Sequence, residues 1–531
     1  MVAVLGVVAV SGGSGADPET PAALPGMPPP FLGTAVAGSG ELTAAVDAYG
    51  DVVDLRLGPA GPALIENPHG RQVAGSVPED TGIVPRLTVG GEALALWEAD
   101  SVAQRYLPGT NVVRTVARFG TTRVVVTVAA VGRELAVRAR ASGNNAELSV
   151  GVEVEDGVRC RRVRHPEQHD LLCRVGRAVP DAVPAAGVLI REAAASDRRW
   201  LARARPLGEG APGWAIAMYR RSLLTLRALT DRESGAVAAG ARDGWAYVWP
   251  RDAATAAMAF AAVGYEGEAE LATRFLLGAG LEQGARFHGD GRPVAGRGAQ
   301  GDVIGWTAAA AEASGMIGSA RHAAKILAGA YPVPWRDRAD YQEGEPGEYL
   351  GNALASSPAW VARPIGGTTH AGREWAPEFA TPQGLVRRAG DPASGLDSAA
   401  AWAVRPFSWP PLYPPARRTL KALAAEGTRY GITPGSAWHG GVDPWMAPTA
   451  WSAWAFAALA SSPSSPDPAA DRREALGLLA DLRRAATPAG ALPERVDVKT
   501  GVPASTTPLA WPHAFAVLAL RELWRPAPRG S

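Results

Sequence analysis

The sequence predicts two domains of different class, an antiparallel β-sandwich at about residues 31–205 and an all-helical domain at about residues 208–525. Short alternating apolar runs fill the first part, and apolar residues at helical spacing fill the second. The hydrophobic period changes near Gly208. Strands in one block and helices in another favour separate domains over a parallel sheet with crossover helices.

Four runs carry the strand prediction: GELTAAVDAYGDVVDLRLGP, TRVVVTVAAV, RELAVRARA and AELSVGVEVEDG. Gly, Asn and Asp punctuate them, and such short runs are typical of an antiparallel sandwich. Cys160 and Cys173 flank a polar stretch in this part. They either close a hairpin as a disulfide or remain two unpaired thiols. Two cysteines exclude a disulfide scaffold and a four-cysteine zinc site.

Nine segments carry the helix prediction, and Gly or Pro ends most of them. They are WAIAMYRRSLLTLRAL, DAATAAMAFAAVG, EAELATRFLLGAGLEQG, WTAAAAEASGMIG, ARHAAKILAGAY, ARRTLKALAAEG, WSAWAFAALA, REALGLLADLRRA and LAWPHAFAVLALREL. The loops between them are rich in Gly, Pro and Trp.

The charges balance, with 53 Lys+Arg against 52 Asp+Glu and a net charge of +1. A nucleic-acid binder or a polybasic membrane anchor should carry a basic excess, so we expect neither nucleic acid nor membrane as a partner. The 17 Trp residues outnumber the 9 Phe and the 10 Tyr. Flat indoles suit stacking on sugar rings, although large helical cores use Trp as well.

Residues 1–30 are expected to be a leader and a linker. The apolar run Val2–Val10 is shorter than the roughly 20 residues that span a bilayer. It resembles the apolar part of a signal peptide, although no Lys or Arg precedes it. A truncated signal and a disordered leader both fit. The run favours a secreted or exported protein, with a cytoplasmic location as the alternative.

The loop Trp245–Asp252 runs straight into a predicted helix. Arg251 as a donor and Asp252 as an acceptor could clamp neighbouring hydroxyl groups of a sugar. Alternatively, Asp252 caps the helix and Arg251 is its surface neighbour. The loop Gln300–Gly305 also opens a helix, and Asp302 within it has the same alternative of a simple cap.

A third loop, Asp340–Glu343, lies in an acidic segment that continues through Glu345 and Glu348. Such a run is commonly a solvated face. A fourth loop, Leu492–Asp497, places Glu494 directly after a proline, and the Gly/Trp-rich loop 438–445 lies between these two. No phosphate-binding loop, zinc-protease motif or serine-hydrolase motif is present.

Taken together, these loops resemble those of glycoside hydrolase family 15, the glucoamylase, glucodextranase and bacterial trehalase family. The matching segments occur in family order at 249–252, 300–305, 340–343, 440–445, 493–497 and 508–511. The resemblance spans about residues 31–525. It implies that the helical domain is an (α/α)6 toroid, with the site at one end of the barrel.

The resemblance also implies roles for individual residues. Glu494 matches the general base and Glu343 the general acid of the family. The residues that match sugar-binding positions are Tyr247, Trp249, Arg251, Asp252, Gln300, Asp302, Arg429 and Trp445. An inverting glycosidase needs two carboxyl groups about 6.5–9.5 Å apart, so that a water molecule fits between base and sugar. The acid needs a raised pKa, for which Asp340 and Glu345 are candidate neighbours of Glu343.

Three departures from the family pattern lie near the expected acid or in the Gly/Trp-rich loop. Gln342 replaces a Trp, Gly344 replaces an acidic residue that often follows the acid, and the Gly-Gly loop carries one extra residue before Pro444. The two changes beside the acid, at Gln342 and Gly344, fall where the leaving sugar would bind. They leave Glu345 or Glu348 open as alternative acids.

The sequence therefore predicts an O-glycosyl hydrolase, exo-acting and inverting, that releases glucose from α-glucosides or oligosaccharides. A phosphorylase or lyase on the same toroid is a second enzymatic reading, and the retained Pro-Glu-Arg-Val-Asp segment favours hydrolysis over it. The non-enzymatic alternative is a degenerate carbohydrate-binding protein. We expect a monomer without an obligatory metal or cofactor, and the sequence leaves a structural Ca²⁺ open.

Overall fold

The structure is a computed structural model. It describes residues 24–526, except for 66–81, 90, 144–145, 154–157, 166–167, 176–185, 243, 317, 319–335, 343–344 and 357–374. Two of the sequence-based predictions fall outside these residues: the helix expected at about 320–331 and the general acid expected at Glu343. In the described part, no helix is both long and apolar enough to cross a membrane.

Strands β1–β13 form two antiparallel sheets in the amino-terminal part. In chain order they are β1 Gly33–Gly38, β2 Leu42–Asp47, β3 Val52–Leu57, β4 Ala63–Ile65, β5 Gly82–Val89, β6 Glu92–Ala95, β7 Ser101–Tyr106, β8 Val113–Phe119, β9 Thr122–Val131, β10 Glu134–Ser142, β11 Ala146–Glu153, β12 Val158–His165 and β13 Gln168–Val175. One sheet has the order β1-β2-β3-β5-β11, with β4 beside β3 and β6 beside β5. The other has the order β12-β13-β10-β9-β8-β7.

The first sheet lies between the second sheet and the helical domain. Every residue of β1 and β2 is buried, which fits a sheet covered on both faces. The hydroxyl of Thr43 on β2 donates to the carbonyl oxygen of Ala228 in the helical domain (3.1 Å). On the second sheet, β8 alternates buried Val113, Thr115 and Ala117 with more exposed residues, so one face of this sheet points outward.

Cys160 on β12 and Cys173 on β13 form a disulfide bond. The two residues are direct partners in the antiparallel register of these strands. Of the two readings that the sequence left open, the structure therefore shows the closed hairpin.

The first helix, α1 (Ala186–Leu201), lies in a stretch that was expected to be strand-like. That expectation is wrong for these residues. Leu189, Ala193 and Trp200 recur at helical spacing and are buried, so the helical signal was present in the sequence. α1 covers one end of the outward face of the second sheet, where Leu189 packs with Ala136.

The remaining helices form the carboxyl-terminal part. They are α2 Gly213–Ala228, α3 Pro250–Val263, α4 Glu266–Gly278, α5 Val303–Ala313, α6 Leu350–Ser356, α7 Ala376–Phe379, α8 Tyr413–Glu426, α9 Met446–Ala460, α10 Pro468–Ala485 and α11 Ala510–Leu523. A short antiparallel pair, β14 (Val386–Arg388) and β15 (Asp391–Leu396), interrupts them. The described part also contains the short 3₁₀ segments Leu96–Glu98, Ser398–Ala403 and Pro410–Leu412.

Fully buried helices alternate with amphipathic helices along the chain. α9 buries every residue up to Leu459, whereas the next helix, α10, buries one stripe that includes Ala475, Leu478 and Leu482. A helix that is apolar all round must be enclosed by others, and one with a single apolar stripe must face water. The pattern therefore describes an inner and an outer layer of helices, as in a toroid of helical hairpins.

Candidate active site

The loop that precedes α3 places Arg251 and Asp252 in the first turn of this helix. Trp249 is the N-cap residue and Pro250 follows as the first helical residue, where a missing N–H costs nothing. Both Arg251 and Asp252 are buried, with 3% and 4% of their surface exposed. The cap position is Trp249, without a side-chain cap bond, so Asp252 does not cap the helix.

Arg251 joins the first loop to the second. Its Nη1 donates to Oε1 of Gln300 (2.8 Å) and to both carboxylate oxygens of Asp302 (2.9 Å each). Asp302 is the N-cap residue of α5 but makes no side-chain cap bond, so its carboxylate serves Arg251. The guanidinium is thus held by protein partners, and its main structural effect is to fix the start of α3 against the start of α5.

Asp252 has a carboxylate oxygen, Oδ1, that is buried and has no hydrogen-bond partner among the described residues. The pKa of Asp252 is raised to about 7, mainly by burial; Arg251 opposes the rise, and the nearby carboxylates of Glu494 and Asp302 contribute to it. A buried polar atom without a partner calls for an explanation. The simplest is a water molecule or a ligand hydroxyl that binds there.

The second loop also contacts the third. Gln300 forms a parallel bridge with Ala339, and its side-chain amide donates to the carbonyl oxygen of Asp340. The buried carboxylate of Asp340 accepts from Arg387 Nη2 (3.1 Å) and from the backbone N–H of Gln342 (3.0 Å). Because Arg387 neutralises Asp340, this carboxylate is a weaker means of raising the pKa of a neighbouring acid than the sequence suggested.

Asp397 is a buried acid in this region that the sequence reading missed. Its Oδ1 accepts from the hydroxyl of Tyr341 (2.7 Å) and from the N–H of Ala399, while Oδ2 has no partner among the described residues. Burial raises the pKa of Asp397 to about 6. In the sequence it looks like an ordinary cap, and it does cap the 3₁₀ turn Ser398–Ala403. Nothing local distinguishes it from other caps.

The expected acid, Glu343, lies outside the described residues, but both alternatives to it are described. Glu345 is exposed. Glu348 is half-exposed and forms an ion pair with Arg336, which also pairs with Glu378. Neither is enclosed by the described part of the protein. The assignment of the acid to Glu343 stays a prediction.

Glu494 lies in the fourth loop, partly buried and held at both carboxylate oxygens. Trp245 Nε1 donates to Oε1 (3.2 Å), and the hydroxyl of Ser505 donates to Oε2. The backbone N–H of Glu494 donates to Thr506 (3.0 Å) and its carbonyl accepts from Met446 (2.9 Å), so the loop is fixed at its base. Burial raises the pKa of Glu494, and the bonds from Ser505 and Trp245 oppose that rise.

Trp245 and Ser505 were not among the expected site residues. Trp245 opens the first loop, so its hydrogen bond to Glu494 joins the first and fourth loops across 249 residues of chain. The electrostatic contact between Asp252 and Glu494 joins the same two loops. The sequence shows a Trp at the start of the first loop and a Ser eleven residues after Glu494, but it does not show that both donate hydrogen bonds to Glu494.

Three expected sugar-facing aromatics are half-buried. Tyr247 and Trp249 meet edge to face (6.4 Å between centroids), with Arg286 lying over both rings at 4.9 and 5.5 Å. Trp445, the N-cap residue of α9, meets Trp438 edge to face at 5.5 Å. The indole N–H groups of Trp438 and Trp445 have no acceptor among the described residues. These N–H groups are available donors for a ligand.

Arg429 is exposed, and its described contacts do not connect it with Asp252 or Glu494. It lies over the ring of Tyr430 and donates to its hydroxyl (2.6 Å), which in turn donates to the carbonyl of Thr500. These contacts therefore do not group Arg429 with the other expected site residues. Across the described segments, no group of three or more His, Cys, Asp or Glu side chains is arranged to hold a metal ion.

Comparison with solved structures shows which fold this is. A bacterial glucoamylase in complex with acarbose superposes with a TM-score of 0.70, covering 94% of both chains at 13% sequence identity. The glucoamylase of Hormoconis resinae matches with a TM-score of 0.46 at 15% identity, over 58% of this chain and 72% of that one. The family 15 glucoamylase of Hypocrea jecorina matches with a TM-score of 0.45 at 15% identity, over 58% and 70%.

No family model matches the sequence, and no curated protein matches it significantly. The structural match nevertheless spans both domains. The chain has the fold of this bacterial glucoamylase, a β-sandwich followed by an (α/α)6 toroid. This confirms the fold that the order of the sequence motifs predicted.

Proposed function

We propose that this protein is a glycoside hydrolase that removes glucosyl units from the non-reducing end of α-glucosides, with inversion at the anomeric carbon. The observation that carries the proposal is the carboxylate of Glu494, which is held at both oxygens by Trp245 and Ser505 and interacts electrostatically with Asp252, whose Oδ1 has no hydrogen-bond partner among the described residues. Packing alone does not account for two adjacent acids near the convergence of four loops.

Glu494 is the general base in this proposal. Each of its oxygens accepts one hydrogen bond and keeps further lone pairs. These can take a proton from a water molecule that attacks the sugar. Burial raises the pKa of this carboxyl, and the two donors oppose that rise by stabilising the ionised form in which a base acts.

Glu343 is the general acid in this proposal, as the resemblance implies. It follows Gln342, whose side-chain amide donates to Tyr341 and to Asp397 (3.3 Å). These bonds anchor the backbone directly before the acid. The described residue next to the proposed acid is therefore tied to the buried carboxylate of Asp397.

Asp252 binds the terminal glucosyl unit in this proposal, and Arg251 holds the start of α3 in position through Asp302. The aromatic rings of Tyr247, Trp249 and Trp445 present faces and N–H groups suited to sugar. The bacterial glucoamylase of the same fold was solved with acarbose, so acarbose is a suitable binding probe for this chain as well.

We also propose that the protein is exported. The apolar run Val2–Val10 and the disulfide between Cys160 and Cys173 support this, because disulfides persist in oxidising compartments. Expression of the full chain fused to a reporter that is active only outside the cytoplasm tests it. An inactive reporter, with the fusion protein recovered from the cytoplasm, would contradict export.

The decisive experiment follows the anomeric configuration of fresh product by NMR. Glucose release from maltose, isomaltose, trehalose and dextran identifies the substrate, and β-glucose as the first product establishes inversion. Glu494→Gln should abolish turnover while acarbose still binds, because an amide cannot accept a proton from water. Glu343→Gln should impair natural substrates far more than glucosides with a good leaving group, which need no proton.

Two results would overturn the proposal. An initial α-anomer means retention, which would remove Glu494 from the role of base to water. Sugar binding without turnover on any of the four substrates would instead indicate a carbohydrate-binding protein.

A further inference from the structure

The outward face of the six-stranded sheet carries a cluster of arginines. Arg105 on β7 is directly opposite Arg114 on β8, and Arg118 on β8 is directly opposite Arg123 on β9. Arg140 on β10 lies on the same face, in register with Val125 of β9. We call these five residues the arginine face. The register places them on the side away from the buried residues Val113, Thr115 and Ala117.

The positive charges of the arginine face are not balanced within the described part of the protein. None of the five residues forms an ion pair there. The acid Asp170, which shares the face, is already paired with Arg138 (2.8 Å). Arg140 donates to the neutral side chain of Gln168 (2.6 Å). Like charges directly opposite one another in a sheet are destabilising, so this arrangement costs folding free energy without an obvious structural return.

Arg114 lies at the centre of the cluster and shows this cost. Burial lowers the pKa of its guanidinium, and the neighbouring Arg123, Arg105 and Arg140 lower it further. Its Nε is buried and has no partner among the described residues. A bound anion would supply both the missing hydrogen bond and the missing negative charge.

The residues between the arginines indicate which kind of anion fits. They are Ser101 and Ala103 on β7, Val116 on β8, Val125 and Thr127 on β9, and Ser142 on β10, none of which is acidic. The described residues of this face include no Phe, Tyr or Trp, so the face lacks the aromatic anchors of a membrane-surface site and the aromatic stacking platforms of single-stranded nucleic-acid binders. Neighbouring strands are about 4.8 Å apart and alternate residues along a strand about 6.6 Å apart, which spreads the guanidinium groups over a flat grid.

We propose that the arginine face docks an anionic polysaccharide that carries a carboxylate on successive sugar units. Guanidinium groups bind carboxylates in bidentate fashion, and an array of them matches a polymer with repeated charges. The choice of a polysaccharide among polyanions rests on the proposed function. The first sheet separates the arginine face from the helical domain, so docking leaves the pocket at Glu494 free to act on a neighbouring chain.

Binding of the full-length protein to polygalacturonate tests the proposal, with neutral dextran as the reference polymer. The test variant is Arg105→Gln, Arg118→Gln, Arg123→Gln, which removes three exposed or half-exposed charges. The control variant is Arg220→Gln, Arg418→Gln, Arg473→Gln, which removes three exposed charges from helices of the other domain. We expect the test variant to bind polygalacturonate roughly tenfold or more weakly, because individually modest exposed pairs act together on one polymer.

The control variant should bind polygalacturonate like the parent protein, and added salt should weaken binding by the parent. If both variants bind polygalacturonate equally weakly, the loss of binding follows from the lower net charge alone, and the proposal is overturned. Equally tight binding to phosphatidylglycerol vesicles or duplex DNA would also overturn the choice of a polysaccharide. Glucose release from small α-glucosides, measured separately, should be unchanged in both variants, so a failure of docking is distinguishable from a failure of the proposed function.

Discussion

At the residue scale, the candidate site depends on which charged side chains form ion pairs and which do not. Arg251 and Asp302 neutralise one another, and so do Arg387 and Asp340. Asp252 and Glu494 have no opposing ion pair of this kind in the described residues. Their pKa values are raised mainly by burial. Acidic side chains whose pKa is shifted and that form no ion pair are candidates for binding a substrate or reacting with it.

Replacing Asp252 by Ala should lower activity by a factor of about 100 or more and leave the melting temperature nearly unchanged, because a lost charged hydrogen bond to substrate costs about 3 kcal/mol. The matched control is Asp467→Ala, at a genuine cap that accepts from the N–H of Ala470 (2.9 Å). The control should lose about 1 kcal/mol of stability and keep its activity. Kinetics and thermal melts of the two variants separate the roles. A variant at Asp252 that mainly unfolds would mean that its role is structural.

Removing either donor to Glu494 should raise the pKa of this carboxyl. Trp245→Phe and Ser505→Ala each delete a hydrogen bond to the ionised form, which then becomes less favourable relative to the protonated form. Because the base must be ionised to act, the acidic limb of the kcat/KM profile should move to higher pH. Arg297→Gln should shift it in the same direction, since this guanidinium lowers the pKa through space. Profiles that coincide with that of the parent would contradict this role.

At the element scale, the starts of α3 and α5 are held together by one buried ion pair. Arg251 and Asp302 are 3% and 1% exposed at their side chains. Neither helix start has a side-chain cap. The ion pair fixes the two helix starts relative to one another. The loops that precede both helices carry expected sugar-binding residues, which explains why their relative position matters.

Asp302→Asn should therefore destabilise the protein by about 3 kcal/mol, because it leaves the buried charge of Arg251 uncompensated. The double variant Arg251→Leu, Asp302→Leu should recover much of that loss without recovering activity, since burial favours an apolar pair but the loop geometry is lost. Chemical denaturation and kinetics on the same samples measure both effects. A double variant that is no more stable than Asp302→Asn would show that the loss has another cause.

At the scale of the whole molecule, buried carboxyl groups make folding depend on pH. Burial raises the pKa of Asp47 and of Asp397 to about 6 and that of Asp252 to about 7, from an ordinary value of 3.8. Asp51, beside Asp47, is raised well above its ordinary value for the same reason. These four groups lie in both domains, so the effect is not confined to the candidate site.

The folded protein should therefore be more stable at about pH 5 than at about pH 8. Between the unfolded and the folded pKa values, the folded state binds more protons than the unfolded state, so stability falls as pH rises through this window. The apparent melting temperature should drop by about 3–5 °C over that range, given the unfolding entropy of a chain of this size. A Tm that rises from pH 5 to pH 8 would contradict the direction of these shifts. Asp397→Asn should flatten the dependence.

Much of this architecture could be predicted from the sequence, because the signals are local. The change of hydrophobic period near Gly208, the strands around Thr122–Val131 and the helix at Pro250–Val263 follow from residue spacing alone. The order of the loops along the chain was enough to indicate the fold. The exception, α1, lay in a stretch where short alternating runs on either side masked its helical spacing.

The sequence by itself determined which chemical groups the loops carry and in which order, since residue types and periodicities can be read without knowing what lies nearby. Only the tertiary structure decided how those groups are used. It paired Arg251 with Asp302, left Oδ1 of Asp252 without a hydrogen-bond partner among the described residues, and brought Trp245 to Glu494 across 249 residues. Burial and charge act through space, so the partners and the pKa of a side chain depend on which distant segments the fold brings together.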